Sequence, residues 1–351
     1  DAILYYIGPL LFFWGFMKIF IQGSLKFQEL TAKAARFLGD LSALATKNVR
    51  RNPSRSAAIA FLLALIVGYS VQVTGQLASE QDYAVRNVYY RVGSDVAIYV
   101  SMAKDAPNIL NVAIENVSEK IQNTTIEYSF SSLTSLGIIK LKAVNPQSWL
   151  ETAYYENGWF SGSDLTTAFN KLATESDTII LERSVAAALK LEIGESITLN
   201  FGSATKTLEV VGFFGPEQSD QQQLIIAQQL FTRYWSFISE SLYEEISSQV
   251  SASAKILLKL KSDADGKSVG ESIRNLKLNV SLVESFTEEW EEAQSDVITI
   301  GLLDVQRLGV VFAVLAASVG TVLVSAVSMK ERSREAAIMS VKGLSYKHLV
   351  I

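Results

Sequence analysis

Four residues, Asp265-Gly266-Lys267-Ser268, imitate the end of a phosphate-binding glycine loop, with Lys and a hydroxyl opening a helix. That loop also needs a glycine five residues earlier, and position 261 is Lys. No nucleotide site is read there. Glu288, Glu289, Glu291, Glu292 and Asp296 gather enough carboxylates for a cation. They lack grouped turn glycines and alternating ligands, so they read as one solvated helix face and no metal is assigned. The chain has no Cys, and its single His is His348. Disulfides and Cys-based zinc sites are excluded, and a Ser-His-Asp triad would need His348, which reads as an interfacial residue. No motif sets a nucleophile beside a base, so the chain is not read as an enzyme.

The elements that would position such residues are set by where the hydrophobicity lies. The 351 residues carry 31 Lys+Arg and 36 Asp+Glu, net −5, with 49% apolar residues. That acidic balance argues against nucleic acid as a partner. Mean hydropathy is +0.22 although 19% of residues are charged. Three runs account for this. Residues 1–22 contain AILYYIGPLLFFWGFMKIFIQ, with only Lys18 charged near its end. Residues 56–76, SAAIAFLLALIVGYSVQVTGQ, and 308–329, LGVVFAVLAASVGTVLVSAVSM, carry no charge. Each reaches the roughly 20 residues that cross a bilayer as a helix. The small residues of 308–329 suit close helix packing in lipid. Because the first run lacks the basic leader of a signal peptide, it reads as a span of a longer polytopic protein.

Charge orients the spans. Segment 23–55 holds Lys26, Lys33, Arg36, Lys47, Arg50, Arg51 and Arg55 against Glu29 and Asp40. Segment 330–351 holds five basic and two acidic residues, whereas 77–300 holds 17 basic and 30 acidic ones. Basic short loops stay in the cytoplasm, which places 77–300 outside the cell membrane. Arg50, Arg51 and Arg55 read as anchors for lipid phosphates, after an amphipathic helix over 31–47. Asp304 and Arg307 sit three residues apart before the last span, where they would pair at the outer headgroups.

Segment 77–300 mixes periods. Alternation predicts strands at 95–100, 125–130, 138–144, 178–181, 196–200 and 207–211, and helical spacing predicts helices at 108–121 and 186–189. Residues 255–261, 266–276 and 278–283 read as a β-α-β unit, and the outer domain as α+β. From Phe286 the chain reads as a long acidic helix running toward 308–329. The second span should likewise continue through 78–91, so that the two helices form a stalk. Sequons start at Asn116, Asn123 and Asn279, all in this outer segment.

Three blocks resemble the FtsX-like/MacB-type permeases of ABC transport systems. Residues 47–56, KNVRRNPSRS, are similar to that family's entry to its first span. Residues 178–199, TIILERSVAAALKLEIGESITL, with LEVVG at 208–212, resemble its outer-domain pattern. Residues 329–344, MKERSREAAIMSVKGL, resemble its cytoplasmic coupling segment, with Ser340-Val341-Lys342 departing from the usual pattern. The resemblance implies an integral membrane α-helical protein with three spans in this chain, of which 1–22 ends a preceding module. It implies a large extracytoplasmic α+β domain of MacB type, and no cofactor in this chain. ATP and Mg would sit on a separate ABC-type ATPase. Glu335, Ile338, Met339, Lys342 and Gly343 would contact that ATPase, Gly343 as helix cap. A second permease copy or module, membrane lipids and an extracytoplasmic protein are the other expected partners. Export, lipoprotein or lipid handling and mechanotransmission all fit the family.

The competing reading is a membrane-anchored binding or sensor protein that works without an ATPase. Both readings require the same topology, and the Cys-free chain tests it. Single cysteines at Ser203 and Ser340 should react with a membrane-impermeant maleimide differently, Ser203→Cys in intact cells and Ser340→Cys only after permeabilisation. The reverse pattern would sink the orientation.

Overall fold

Pro53 opens the longest helix, α1 (Pro53–Val92), where a missing N–H costs nothing. Nothing inside its 40 residues forces a break until Gly93, whose φ of +84° turns the chain into the first strand. The expected continuation of helix from 56–76 through 78–91 is therefore present as one element. The computed structural model describes residues 53–134, 137–215 and 235–295, with scattered helical positions within 8–19 and 308–326. It divides into two units, 1–79 with 297–351, and 80–296. Among the described residues no helix is long and apolar enough to cross a membrane. Stretches 1–22 and 308–329 are described only at scattered positions, and the side chains of 56–63 lie outside the described residues.

The 80–296 unit is built on a sheet of ten strands among the described residues: β1 (Val96–Val100), β2 (Ile121–Thr134), β3 (Gly137–Val144), β4 (Phe160–Ser161), β5 (Thr178–Glu182), β6 (Ser196–Phe201), β7 (Ala204–Phe214), β8 (Trp235–Ser239), β9 (Ser253–Leu260) and β10 (Leu282–Ser285). Their order is β10-β1-β9-β2-β3-β8-β5-β7-β4. The β3–β8 and β5–β7 neighbours are parallel, and the other adjacent pairs on this path are antiparallel. Strand β6 pairs along β7 and touches β2 at Leu133↔Asn200. The Ser132 hydroxyl donates to the Asn200 carbonyl at 2.9 Å beside that bridge. Six strands, β2-β3-β8-β5-β7-β6, thus return to their start.

Strand alternation sends neighbouring side chains into different cores. Ile179 and Leu181 face the larger core while Ile180 between them faces an aromatic one. Phe237 and Ile238 part in the same way. Helices α2 (Ala106–Val117) and α7 (Gly266–Asn275) cover the larger core through Ile109, Ala113, Val117, Val269 and Ile273. Helices α5 (Arg183–Leu189) and α6 (Glu240–Ile246) add Ala186, Leu242 and Ile246. Helices α3 (Pro146–Thr152) and α4 (Leu165–Thr174) bring Trp149, Ala168, Phe169 and Leu172 to the aromatic core. The last described helix is α8 (Phe286–Ser295).

Two expectations shift. The segment 278–281 forms no strand, because Lys277 turns the chain at φ +50° and pairing starts only at Leu282. The expected β-α-β unit also spans a gap. Strands β9 and β10 both pair antiparallel with β1, which lies between them.

Phe169 is 1% exposed and stacks on Trp149 at 5.2 Å between ring centres. Phe169→Ala should lower the unfolding free energy by about 3–5 kcal/mol. Thr198→Ala, on the exposed face of β6, should change it by less than about 0.5 kcal/mol. Urea unfolding followed by tryptophan fluorescence makes the comparison.

Candidate functional site

A helix that ends against a folded domain leaves its last carbonyls without intrahelical partners. In α1 those of Tyr89 and Arg91, near the end, are both answered. The Gly93 amide donates to the Tyr89 carbonyl at 2.6 Å. The Arg91 carbonyl accepts from Lys255 Nζ at 2.7 Å and from the Tyr99 hydroxyl at 3.2 Å. A side chain on Gly93 would press on Leu257 Cδ2 at 3.2 Å and Lys255 Nζ at 3.3 Å, so both the turn and the close approach call for glycine.

Side chains then fix the last turns of α1 on two sides. Arg86 grips Glu156 with two parallel bonds, Nε to Oε1 at 2.7 Å and Nη2 to Oε2 at 2.5 Å. The Tyr154 hydroxyl donates to the same carboxylate at 2.8 Å. The hydrogen bond from Arg86, opposed by burial and helped by Tyr154, holds the Glu156 carboxyl below the usual range. On the other side Tyr89 stacks on Phe286, the first residue of α8, at 3.6 Å, and Arg91 pairs with Glu289. Val88, Val92, Ala97 and Leu257 form the small core beneath, with Phe286, Trp290 and Ala293 packed against it. The helices by which the chain enters and leaves the domain are thereby joined to each other and to its sheet.

Under this junction lies a cavity of about 30 Å³, enough for one or two waters, lined by Tyr90, Trp149, Trp159, Glu127, Lys142 and Lys255 among others. Glu127 is 3% exposed. It accepts from Lys142 Nζ at 2.8 Å and from Trp149 Nε1 at 2.7 Å. Burial alone would raise its carboxyl. Attraction from Lys142 and Lys255, with those hydrogen bonds, leaves it below the usual range. Burial pushes Lys255 down to about 8, against the pull of Glu127. The Lys255 ammonium also lies 4.8 Å from the centre of the Tyr99 ring. The cluster can hold charge at the helix end.

Of the residues singled out from sequence, few fall at this junction. Glu335, Ile338, Met339, Lys342 and Gly343 lie outside the described residues, as do Arg50, Arg51, Asp296, Asp304, Arg307 and His348. Arg55 is within α1, with its side chain outside them. The acidic face of α8 is not simply solvated, for Glu288 pairs with Arg274, Glu289 with Arg91, and Glu291 with Lys267 at 2.7 Å. The Asp265-Gly266-Lys267-Ser268 segment is a helix cap: the Asp265 carboxylate accepts from the Ser268 amide at 3.0 Å and the Lys267 amide at 3.4 Å. No spacing rule points to Arg86, Tyr89, Glu127, Glu156 or Lys255, because their partners are remote in sequence. The buried alternation of β2 and the helical reach of α1 are the signals that could have found them.

Residues 56–276 match the MacB-like periplasmic core domain. The chain belongs to that family. The MacB-like match starts with the run at Ser56 and ends just after α7, so β10 and α8 fall beyond it. No curated protein sequence matches. Among solved structures, the periplasmic region of MacB from Actinobacillus actinomycetemcomitans is 13% identical, with a TM-score of 0.36 over 58% of this chain and 95% of that one. The extracellular domain of the noncanonic ABC-type transporter YknZ from Gram-positive bacteria is 10% identical, with a TM-score of 0.31 over 52% of this chain and 91% of that one. Membership rests on the match over 56–276.

Acid should test the buried carboxylate of this MacB-like domain. Glu127 has a folded-state pKa below its unfolded one, so its contribution is full above the unfolded pKa and is lost as pH falls through the folded value. Unfolding free energy should therefore drop below about pH 4, the ordinary glutamate range. Glu127→Gln should flatten that drop and cost about 3 kcal/mol at pH 7, because Lys142 loses its carboxylate. Denaturation curves from pH 3 to 7 for both proteins measure it.

Proposed function

We propose that the chain is the permease part of an ABC-type system. A separate cytoplasmic ATPase hydrolyses ATP, and the spans carry the resulting motion to the MacB-like domain. The runs 2–22, 56–76 and 308–329 cross the cell membrane, 23–55 and 330–351 face the cytoplasm, and the domain works outside. Glu335, Ile338, Met339, Lys342 and Gly343 form the face on which the ATPase docks, and this chain itself performs no covalent chemistry.

One observation carries this reading. A single helix holds both the uncharged run 56–76 and the residues Arg86–Val92 that clasp the domain. Hydrogen bonds along a helix axis make it stiff, so a displacement of the run reaches the clasp rather than dissipating in a linker. The pairing of that clasp with α8 supports a two-helix connection, since α8 leads toward 308–329. Motion is then the output, whether it expels a substrate or acts on an extracytoplasmic protein.

Purification of the complete permease from native membranes in mild detergent tests the proposal. An ABC-type ATPase should accompany the wild-type protein and be lost, about tenfold or more, from the Glu335→Arg, Met339→Asp double variant. A preparation with no ATPase in either case would overturn the reading in favour of an anchored sensor.

A further inference from the structure

The sequons at Asn116, Asn123 and Asn279 all fall in the 80–296 unit, and the clasp uses none of them. A sequon works through two groups, the asparagine amide that takes the sugar and the hydroxyl two residues on, and it is expected in a surface loop. The fold treats the three differently. Asn116 lies in the last turn of α2, where its Nδ2 donates to the Val112 carbonyl at 2.8 Å. Asn123 lies in β2, and its Nδ2 donates to Glu151 Oε2 at 3.2 Å. The hydroxyl of that second sequon belongs to Thr125, which is 3% exposed and 2.9 Å from the Ser148 hydroxyl. One sequon is thus helix and the other closed strand.

Asn279 is placed otherwise. Lys277 turns the chain at φ +50°, and residues 278–281 run outside helix and strand to β10. The Val280 amide donates to the Leu278 carbonyl at 2.8 Å, which closes a three-residue turn with Asn279 at its centre. Leu278 and Val280 pack against the larger core, and Asn279 between them is exposed. Among the described residues its amide has no hydrogen-bond partner. Ser281 is exposed too, its amide on the Tyr99 carbonyl at 2.8 Å and its hydroxyl 2.5 Å from that of Ser101. Both groups of this sequon therefore stand at the surface of one short loop. The loop leads into β10, the end strand of the sheet order, where Leu282 is 49% exposed. An open sheet edge invites pairing with another chain, and a bulky polar group beside it blocks the approach.

We propose that Asn279 is an N-glycosylation site, presented by the folded domain while Asn116 and Asn123 are withheld. The donor is an oligosaccharide carried on a lipid phosphate. Asn279 Nδ2 forms a bond to the first carbon of the sugar, the bond from that carbon to the carrier phosphate breaks, and Nδ2 gives up one proton. The inference needs the domain outside the membrane, which the permease and sensor readings share, and the Ser203→Cys labelling checks that placement separately.

The complete chain, purified from its native membranes and digested, supplies the test by mass spectrometry of the three sequon peptides. The peptide holding Asn279 should carry a sugar mass, and those holding Asn116 and Asn123 should be bare. The sugar should be lost in Asn279→Gln and in Ser281→Ala, and kept in Ser281→Thr, which preserves the hydroxyl. A bare Asn279 in the wild-type protein overturns the proposal. So does a sugar that survives Asn279→Gln, which would assign it to a hydroxyl of the same peptide. Equal modification of all three sequons also overturns it, since attachment would then precede folding.

Discussion

The terminal carbonyls of α1 are the constraint on which the junction depends. A helix carbonyl left at the end of the ladder needs a donor from water or from the domain. Gly93 answers one by turning left-handed, and Lys255 with Tyr99 answers another. Bringing Lys255 inward creates a second problem, a cation in a low-dielectric site. Glu127 resolves it by charge, yet Glu127 is itself buried and needs Lys142 and the Trp149 indole. Trp149 is held in turn by Phe169 and Phe237. The aromatic core is thus the far end of a series of compensations that starts at a helix terminus. Removing Glu127 takes the carboxylate from Lys142 and from Lys255, and removing Lys142 takes an ammonium group from buried Glu127.

Much of the fold is legible in the sequence because its signals are local. Alternation reveals β3, β6 and β7, and the apolar spacing at Ile109 and Val117 reveals α2. Strand β5 is buried along its whole length, which a continuous apolar run conveys as well as alternation would. Helices α3, α4 and α6 have only seven to ten residues, too few turns for a period to stand out, and their caps Asn145 and Ser239 resemble ordinary loop residues. The ring closure through β6 rests on one bridge, Leu133↔Asn200, that no pattern within either strand announces.

The junction is hidden for a different reason. Arg86 and Glu156 lie 70 residues apart, and Arg91 and Glu289 lie 198 apart. Spacing rules relate residues a few positions apart, so they interpret Glu288–Glu292 as a helix face and stop there. Folding brings Arg274, Arg91 and Lys267 onto that face from two other helices. The family resemblance points to the opposite end of the chain, to 329–344, which lies outside the described residues and beyond the matched segment.

Whether the junction bends or transmits depends on the three residues between α1 and β1. A hinge needs a few positions free to change φ and ψ. Gly93 has its amide on the Tyr89 carbonyl and its carbonyl on the Tyr154 amide at 2.7 Å. Ser94 is 2% exposed, its hydroxyl 2.7 Å from the Thr152 carbonyl and 3.0 Å from that of Leu258. The Asp95 carboxylate takes the Leu260 amide at 2.8 Å, and its carbonyl takes the Phe286 amide at 2.8 Å. At about 1 kcal/mol net for each hydrogen bond, freeing this connection costs roughly 5 kcal/mol before the Arg86–Glu156 clasp is counted. The Asp95 carbonyl, bonded to the first residue of α8, links the connection after the entering helix to the leaving one. The end of α1, the start of β1 and the first residue of α8 are therefore tied into one bonded connection through Gly93, Ser94 and Asp95.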